Sequence, residues 1–417
     1  MADIKPFCAV RPREGLEDQI AALPYDVYSR REALEETRNN PLSFLRIDRA
    51  ETQFPEDMDM YAACVYEKAR ALLQEMTDSG QFVTEDRPCY YIYELTMNGR
   101  TQTGIAACAS VDDYENEVIR KHENTRAEKE ADRICHVDVC SAQTGPIFLA
   151  YRSREQIDRL VEEIKKEKPL YDFISADSIC HRVWRVADAE KITDIRENFR
   201  QIPEIYIADG HHRCASAVKV AQRRRQAHPH YTGEEEFNYF LSVLFPDNQL
   251  MVMDYNRVVK DLNGYTSGQF LEKISERFLV EKLELERMGK EVRRPQQKGQ
   301  ITMYLDEDWY RLTYKGGDDA DPVERLDVSV LQRELLHPLL GIEDPKTDER
   351  IDFVGGIRGL DELERRVHED CRVAFAMYPT SMEELFAVSD AGLLMPPKST
   401  WFEPKLRSGI FIHRIEA

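Results

Sequence analysis

The 417-residue sequence holds no apolar run approaching the ~18 residues that a membrane-spanning helix needs. Nor does it hold a surplus of positive charge: 57 Lys and Arg stand against 77 Asp and Glu, a net charge of −20. With so little to displace the counterions of a polyanion, the chain is expected to bind no nucleic acid and no membrane. Its nine cysteines show no metal spacing, since Cys135 and Cys140 are five apart rather than at the C-x-x-C step of a zinc knuckle. The first residues, Met1 to Phe7, lack the apolar core of a secretory signal, so the expectation is a cytoplasmic protein with free thiols. No G-x-x-x-x-G-K-[ST] loop and no H-R-D or D-F-G set is present, which leaves out P-loop enzymes and protein kinases. His122-Glu123 is followed by Arg126, not by the second histidine of H-E-x-x-H, so a zincin site is unsupported.

What is present suits a globular chain of two or three domains: 42% of residues are hydrophobic and 32% charged. Ser29 reads as the N-cap of a helix over 30–39, with Glu32 completing a capping box. Residues 42–47 read as a strand, 59–78 as an amphipathic helix, and 89–95 with 101–111 as a hairpin turning at Asn98-Gly99. Strands are expected at 147–151, 171–175 and 179–186, helices at 156–166 and 189–200, and a second hairpin at 240–246 and 250–255. A further hairpin is expected at 300–305 and 309–314, and a last strand at 409–414. Helices alternate with strands, but the hairpins make the sheets mixed. The expected fold is therefore α/β in the broad, α+β sense, with a domain over 1–262 and another over 263–417.

Three stretches stand apart from this background. The first is Ile205-Tyr206-Ile207-Ala208-Asp209-Gly210-His211-His212-Arg213, an apolar strand that runs into a helix through a turn of chemically active residues. Gly210 permits the tight turn. The new helix start offers free N–H groups and a favourable dipole to an anion, and Arg213 adds a planar cation suited to phosphate. His211, His212 and Asp209 add proton-transfer or metal-binding capacity. The alternative is a turn whose aspartate caps the helix and whose His and Arg are solvated.

The second stretch, Ile119 to Arg133, is almost wholly polar. Placed on a helix, His122, Arg126, Lys129, Glu130 and Arg133 fall on adjoining positions, with Glu123 and Thr125 close by. It reads either as a salt-bridged solvated face or as a site that gathers His, carboxylate, Lys and Arg. The third stretch, Met395 to Lys405, is a proline-stiffened loop whose Lys398, Ser399, Thr400 and Lys405 suit phosphate oxygens. It reads equally as a wrapping segment anchored by Trp401. Asp26 and Arg257 are lesser candidates, a loop carboxylate and an anion ligand, while Arg223 to Arg225 read as a structural cap on a helix end.

Taken together, Lys5–Phe7, Pro24–Val27, Asn40–Arg46, His122–Arg133, Asp209–Arg213 and Met395–Lys405 resemble the motifs of a widespread prokaryotic family of unknown function, over essentially the whole chain. The D-G-H-H-R turn is similar to that of ParB/sulfiredoxin-like free serine kinases. That resemblance implies that Asp209, Gly210, His211, His212 and Arg213 hold the phosphates of ATP or ADP, with Mg2+. Asn256 departs from the family, which often has His there. The reading this favours is a nucleotide-dependent phosphotransferase acting on a small hydroxyl metabolite. Its catalytic candidates are His211, His212, Glu123, Asp209 and Glu130. Its phosphate and cofactor contacts would come from Gly210, Arg213, His122, Thr125, Lys129, Arg133, Lys398, Ser399, Thr400 and Lys405. Two alternatives stay open: a nucleotide-binding regulatory protein without turnover, and a metal-dependent hydrolase or lyase.

Overall fold

In the computed structural model, which describes residues 1–125, 127–317 and 321–416, the chain forms an α+β fold with mixed sheets. It divides into two compact units, Met1–Leu250 with Pro404–Ala417, and Met251–Glu403. No helix is long and apolar enough to cross a membrane among the described residues.

The first unit is built on a nine-stranded sheet. Its central strand Tyr239–Pro246 is buried throughout. It runs antiparallel to Arg100–Ser110 and parallel to Ile147–Tyr151. Tyr90–Met97 follows Arg100–Ser110 in the sheet as its hairpin partner, and Cys180–Val186 and Tyr171–Ile174 complete that side. Tyr90, Tyr91 and Tyr93 are fully buried and serve packing. Beyond Ile147–Tyr151 lie Ile205–Asp209 and the edge strand Ile119–Arg120.

The helices Glu155–Ile164, Ala189–Phe199 and His211–Ala227 pack Ile157, Val161, Phe199, Cys214 and Val218 against this sheet in one apolar cluster. Each fully buried aliphatic or aromatic side chain there contributes about 1.5–3 kcal/mol. A second cluster joins Phe44, Leu45 and Ile47 to Leu72, Leu73 and Met76 of the helix Ala63–Asp78.

Ser29 caps Arg30–Asn39 in the expected capping box with Glu32. Three expectations change. Residues 42–47 are not a strand: Leu45–Asp48 is a short helix, which turns Phe44, Leu45 and Ile47 into one core where strand alternation would expose one of them. The 240–246 and 250–255 segments do not pair. Tyr239–Pro246 already has partners on both sides, and Val252–Met253 pairs instead with Trp401–Phe402. The polar stretch is not one helix either. Ile119–Arg120 is extended against Ile205–Tyr206, and the helix begins at Ala127 and runs to Cys140. Arg126 lies outside the described residues.

The chain end locks onto the first unit. His413–Arg414 pairs with Ala142–Gln143, and Arg407 reaches Asp177. Beneath Arg407 sits His181, wholly buried, with the Tyr93 hydroxyl 2.9 Å from Nδ1 and Ser175 Oγ 3.0 Å from Nε2. Burial, helped by the Arg407 charge, pushes this imidazole down to about 3. Above the ordinary value of ~6.5 both folded and unfolded chains hold a neutral imidazole; below it only the unfolded chain takes up the proton. Stability should therefore be complete above ~6.5 and drain away as pH falls toward 3. Between pH 7 and 5 His181 alone should remove about 2 kcal/mol, at ~1.4 kcal/mol per unit. Urea unfolding of the wild type and His181→Gln at both pH values checks this: the variant should lose about 2 kcal/mol less, and parallel losses would contradict it.

The second unit is a six-stranded antiparallel sheet. In order across it run Phe278–Lys282, Asp308–Tyr314, Gln300–Leu305, Val373–Met377, Tyr255–Val259 and Ile351–Gly355.

Candidate functional site

Parallel pairing of Ile205↔Ile119 and Tyr206↔Arg120 brings two strands to an end side by side. One runs into Lys121-His122-Glu123 and the other into Gly210-His211-His212. Residues far apart in sequence are thus delivered to the carboxyl ends of two neighbouring parallel strands.

Gly210 sits at φ +92° and caps the helix His211–Ala227. A Cβ there would lie 3.6 Å from Ile147 Cα, which is ordinary contact. The need for glycine is therefore conformational, and Gly210→Ala should cost about 1–2 kcal/mol of stability in a thermal melt. An unchanged or higher melting point would contradict this.

The Gly210 N–H donates to Asp209 Oδ1 at 2.8 Å, and Lys405 Nζ donates to Asp209 Oδ2 at 2.7 Å. Burial alone would raise the Asp209 carboxyl. Lys405, Arg213 and the Gly210 N–H outweigh it and hold the group at about 2. Asp209 is therefore an anion at neutral pH and a poor proton acceptor.

His122 is buried and hydrogen-bonded to the Ile207 backbone. Desolvation pushes its imidazole down to about 4, against the pull of Asp209. His211 is also buried, and desolvation together with the facing His122 lowers its value well below the ordinary one. The two rings meet edge to face, centroids 4.5 Å apart at 89°. His211 Nε2 is buried with no hydrogen-bond partner among the described residues. The Glu123 carboxylate joins them: one ligating atom each of His122, Glu123 and His211 lie within 4.8 Å of one another.

Glu130 stands in the first turn of the helix Ala127–Cys140, where a carboxylate suits the dipole. It accepts from Thr125 Oγ1 at 2.8 Å and pairs with Lys219. Burial would raise it, but Lys219 and Thr125 pull it below the usual carboxylate range. Ser216 Oγ lies 2.7 Å from the His212 carbonyl and 3.2 Å from that of Glu130. Glu130 and Thr125 thus tie the 121–125 loop to the helix that begins at His211.

Arg213 Nη1 donates to the Pro146 carbonyl at 3.3 Å, its guanidinium lies 5.4 Å from the Tyr25 ring centre, and its buried Nη2 has no partner among the described residues. Glycine at 145 makes room for it, since a Cβ there would stand 3.0 Å from Nη1 and 2.8 Å from Ser408 Oγ. Tyr25 also carries Arg133, whose guanidinium is 4.0 Å from the ring centre and pairs with Asp132 at 2.9 Å.

Beside these groups lies a cavity of about 180 Å3 lined by Tyr25, Asp48, Lys129, Asp132, Arg133 and His136. Asp26 lines it as well. Asp48 is buried and accepts from Thr144 Oγ1 at 2.7 Å. Burial would raise its carboxyl, yet His136, Arg213, Arg133 and the Thr144 hydroxyl keep it below the ordinary value. His136 is buried too, lowered by desolvation and by Arg133, and contacts the Ile47 carbonyl at 3.1 Å.

The candidates from the sequence thus fall into three places. His122, Glu123, Asp209, Gly210, His211 and Lys405 share one site, with His212, Thr125 and Glu130 on its rim. Arg213 faces both this site, through Asp209, and the cavity, through Asp48. Lys129, exposed, and Arg133, buried, line the cavity instead.

Lys398, Ser399 and Thr400 belong to the second unit. There the Lys398 carbonyl accepts from Arg257 Nη2 at 3.0 Å, and Ser399 Oγ donates to the Pro396 carbonyl at 2.7 Å. Lys398 Nζ is 5.4 Å from the Tyr255 ring centre. Burial pushes Arg257 down to about 10. Asn256 bridges Asp254 Oδ2 and the Met377 N–H, at 2.6 and 2.9 Å, and acts as a structural pin.

Sequence reasoning misses Asp48 and His136. Asp48 closes a segment whose residue types read as a strand. His136 is legible in principle, since Lys129, Arg133 and His136 recur at helical spacing on one face of the helix Ala127–Cys140.

A mixed α+β protein with a strand-to-helix turn rich in histidine is the class these observations define. The sequence profile for proteins of unknown function (DUF1015) matches residues 4–329, and the chain belongs to that family. No curated protein matches it. Among solved structures, a free serine kinase in complex with AMP is similar at 13% identity, over 74% of this chain and 91% of that one, with a TM-score of 0.34. A mutant of that kinase in complex with ADP is similar at 13% identity over 75% and 93%, with a TM-score of 0.34. A conserved hypothetical protein from Pyrococcus furiosus is similar at 15% identity over 74% and 94%, with a TM-score of 0.33. Likeness this slight assigns no ligand to this chain.

Proposed function

We propose that the chain is a nucleotide-dependent phosphotransferase acting on the hydroxyl of a small metabolite, with the turn Asp209–Arg213 receiving the phosphates. The observation that carries this reading is a pair of buried, unpartnered nitrogens on that turn, His211 Nε2 and Arg213 Nη2. A buried polar group without a partner costs about 1–3 kcal/mol, and an oxyanion bound at the turn offers such a group an acceptor. The free N–H groups at the helix start favour the same ligand.

In this reading the helix start, Arg213 and Lys405 offset phosphate charge, since such transfer depends mainly on positioning and electrostatics. Asp209 and Glu130 are each committed to a lysine, so they orient cations and do not move protons. His212, half-buried on the same turn, takes the hydroxyl proton as the acceptor oxygen bonds to the terminal phosphorus and the bond from that phosphorus to the bridging oxygen breaks, which releases the nucleotide one phosphate shorter. The choice of ATP or ADP, and of an acceptor such as free serine, follows the resemblance of the D-G-H-H-R turn to ParB/sulfiredoxin-like kinases.

Incubating the protein with ATP or ADP, Mg2+ and an amino-acid pool, followed by phosphorus NMR, tests the reading. A phosphorylated product that requires serine or another hydroxyl compound and is lost in His211→Ala supports it. Nucleotide binding without product would replace it with a regulatory role.

A further inference from the structure

We propose that His122, Glu123 and His211 form a site for one divalent first-row transition cation, with Zn2+ as the reference ion. The ligating atoms of the three already lie within 4.8 Å of one another. Two imidazoles bound to one ion at metal–nitrogen distances of ~2.0–2.1 Å place their ring centres about 5 Å apart at the tetrahedral angle, and about 4.5 Å apart when that angle closes toward about 90°. The observed separation is 4.5 Å.

His211 presents a buried nitrogen that no group among the described residues satisfies. His122 is held by the Ile207 backbone, the kind of second contact that fixes a ligating imidazole in one orientation. Glu123 is half-buried and directly follows His122, which keeps its carboxylate beside the two imidazoles.

The donor set chooses the class of ion. Mg2+ and Ca2+ take oxygen ligands, whereas two imidazoles and a carboxylate suit Zn2+, Mn2+ or Fe2+. Three protein ligands leave a position open, which distinguishes a reactive site from a closed structural one. That position would admit water or an oxyanion. The ion takes the His211 nitrogen that the nucleotide reading gives to an oxyanion, which leaves the phosphates to Arg213, Lys405 and the helix start; a titration without nucleotide therefore judges this site apart from that reading.

The test uses the full chain, stripped with a chelator and then titrated with Zn2+ or Co2+ in the absence of nucleotide. Expected are one ion per chain by elemental analysis and a Co2+ visible spectrum without thiolate charge-transfer bands. Glu123→Gln and His211→Asn should each weaken binding by at least the ~10–100-fold that loss of an outer-shell contact already costs. Their fold is checked by circular dichroism, and Glu123→Gln decides the matter should His211→Asn not fold. Failure of the wild type to retain an ion would overturn the proposal. So would unchanged affinity in Glu123→Gln, or a Co2+ spectrum dominated by thiolate bands from the exposed Cys8, Cys64 and Cys135.

Discussion

His212→Ala is expected to lower the turnover of nucleotide-dependent transfer by about 10²–10⁴, the usual worth of a general base. The case rests on elimination among named groups. Asp209 is held at about 2 by Lys405, Arg213 and the Gly210 N–H, against its burial. Glu130 is tied to Lys219 and Thr125. His122 and His211 are buried with depressed values and face each other. His212 shares their turn but keeps partial exposure. If His212 takes the proton, as proposed, while Arg213 and the helix start hold the phosphates, turnover should fall while nucleotide affinity stays nearly unchanged. Equal loss of both would assign His212 to binding; an unaltered rate would remove it from the reaction.

Asp48→Ala should destabilise the first unit by about 3–5 kcal/mol, the cost of removing one partner from a buried ionic group. Asp48 is 3% exposed and is the carboxylate toward which His136, Arg213 and Arg133 are arranged, with Thr144 donating at 2.7 Å. Without it, two guanidiniums remain beneath Tyr25 with Asp132 as the neighbouring anion. Denaturant unfolding gives the value directly. A loss below about 1 kcal/mol would mean that the charges relax into water, as exposed pairs do. Thr144→Val removes a single hydrogen bond and should cost about 1 kcal/mol.

Much of this architecture is legible in residue type and spacing alone. The Ser29 capping box, the Asn98-Gly99 hairpin and the strand–glycine–helix unit at 205–217 are local features, and local chemistry specifies them. The meeting of His122 and Glu123 with the D-G-H-H-R turn is not legible in either stretch, and a shared helix face is not what joins them. They meet through the parallel pairing of Ile119–Arg120 with Ile205–Tyr206, a non-local contact that two short strands do not announce. The same holds for Leu45–Asp48. Tertiary burial of Phe44 and Leu45 overrides a sequence that looks extended, and the Asp48 cluster is hidden with it. The hairpin expected across 240–255 fails because Tyr239–Pro246 already has a strand on each side. The number of neighbours a strand finds is a property of the whole sheet.

The central claim is that the turn Asp209–Arg213 receives phosphate oxygens. Calorimetric titration of ADP into the wild type and Arg213→Ala, without an acceptor present, tests it most directly. Saturable binding by the wild type, weakened at least about tenfold in the variant, is the expected result for a lost charge-assisted contact to phosphate. Absence of ADP binding by the wild type, or equal affinity in the variant, would contradict it.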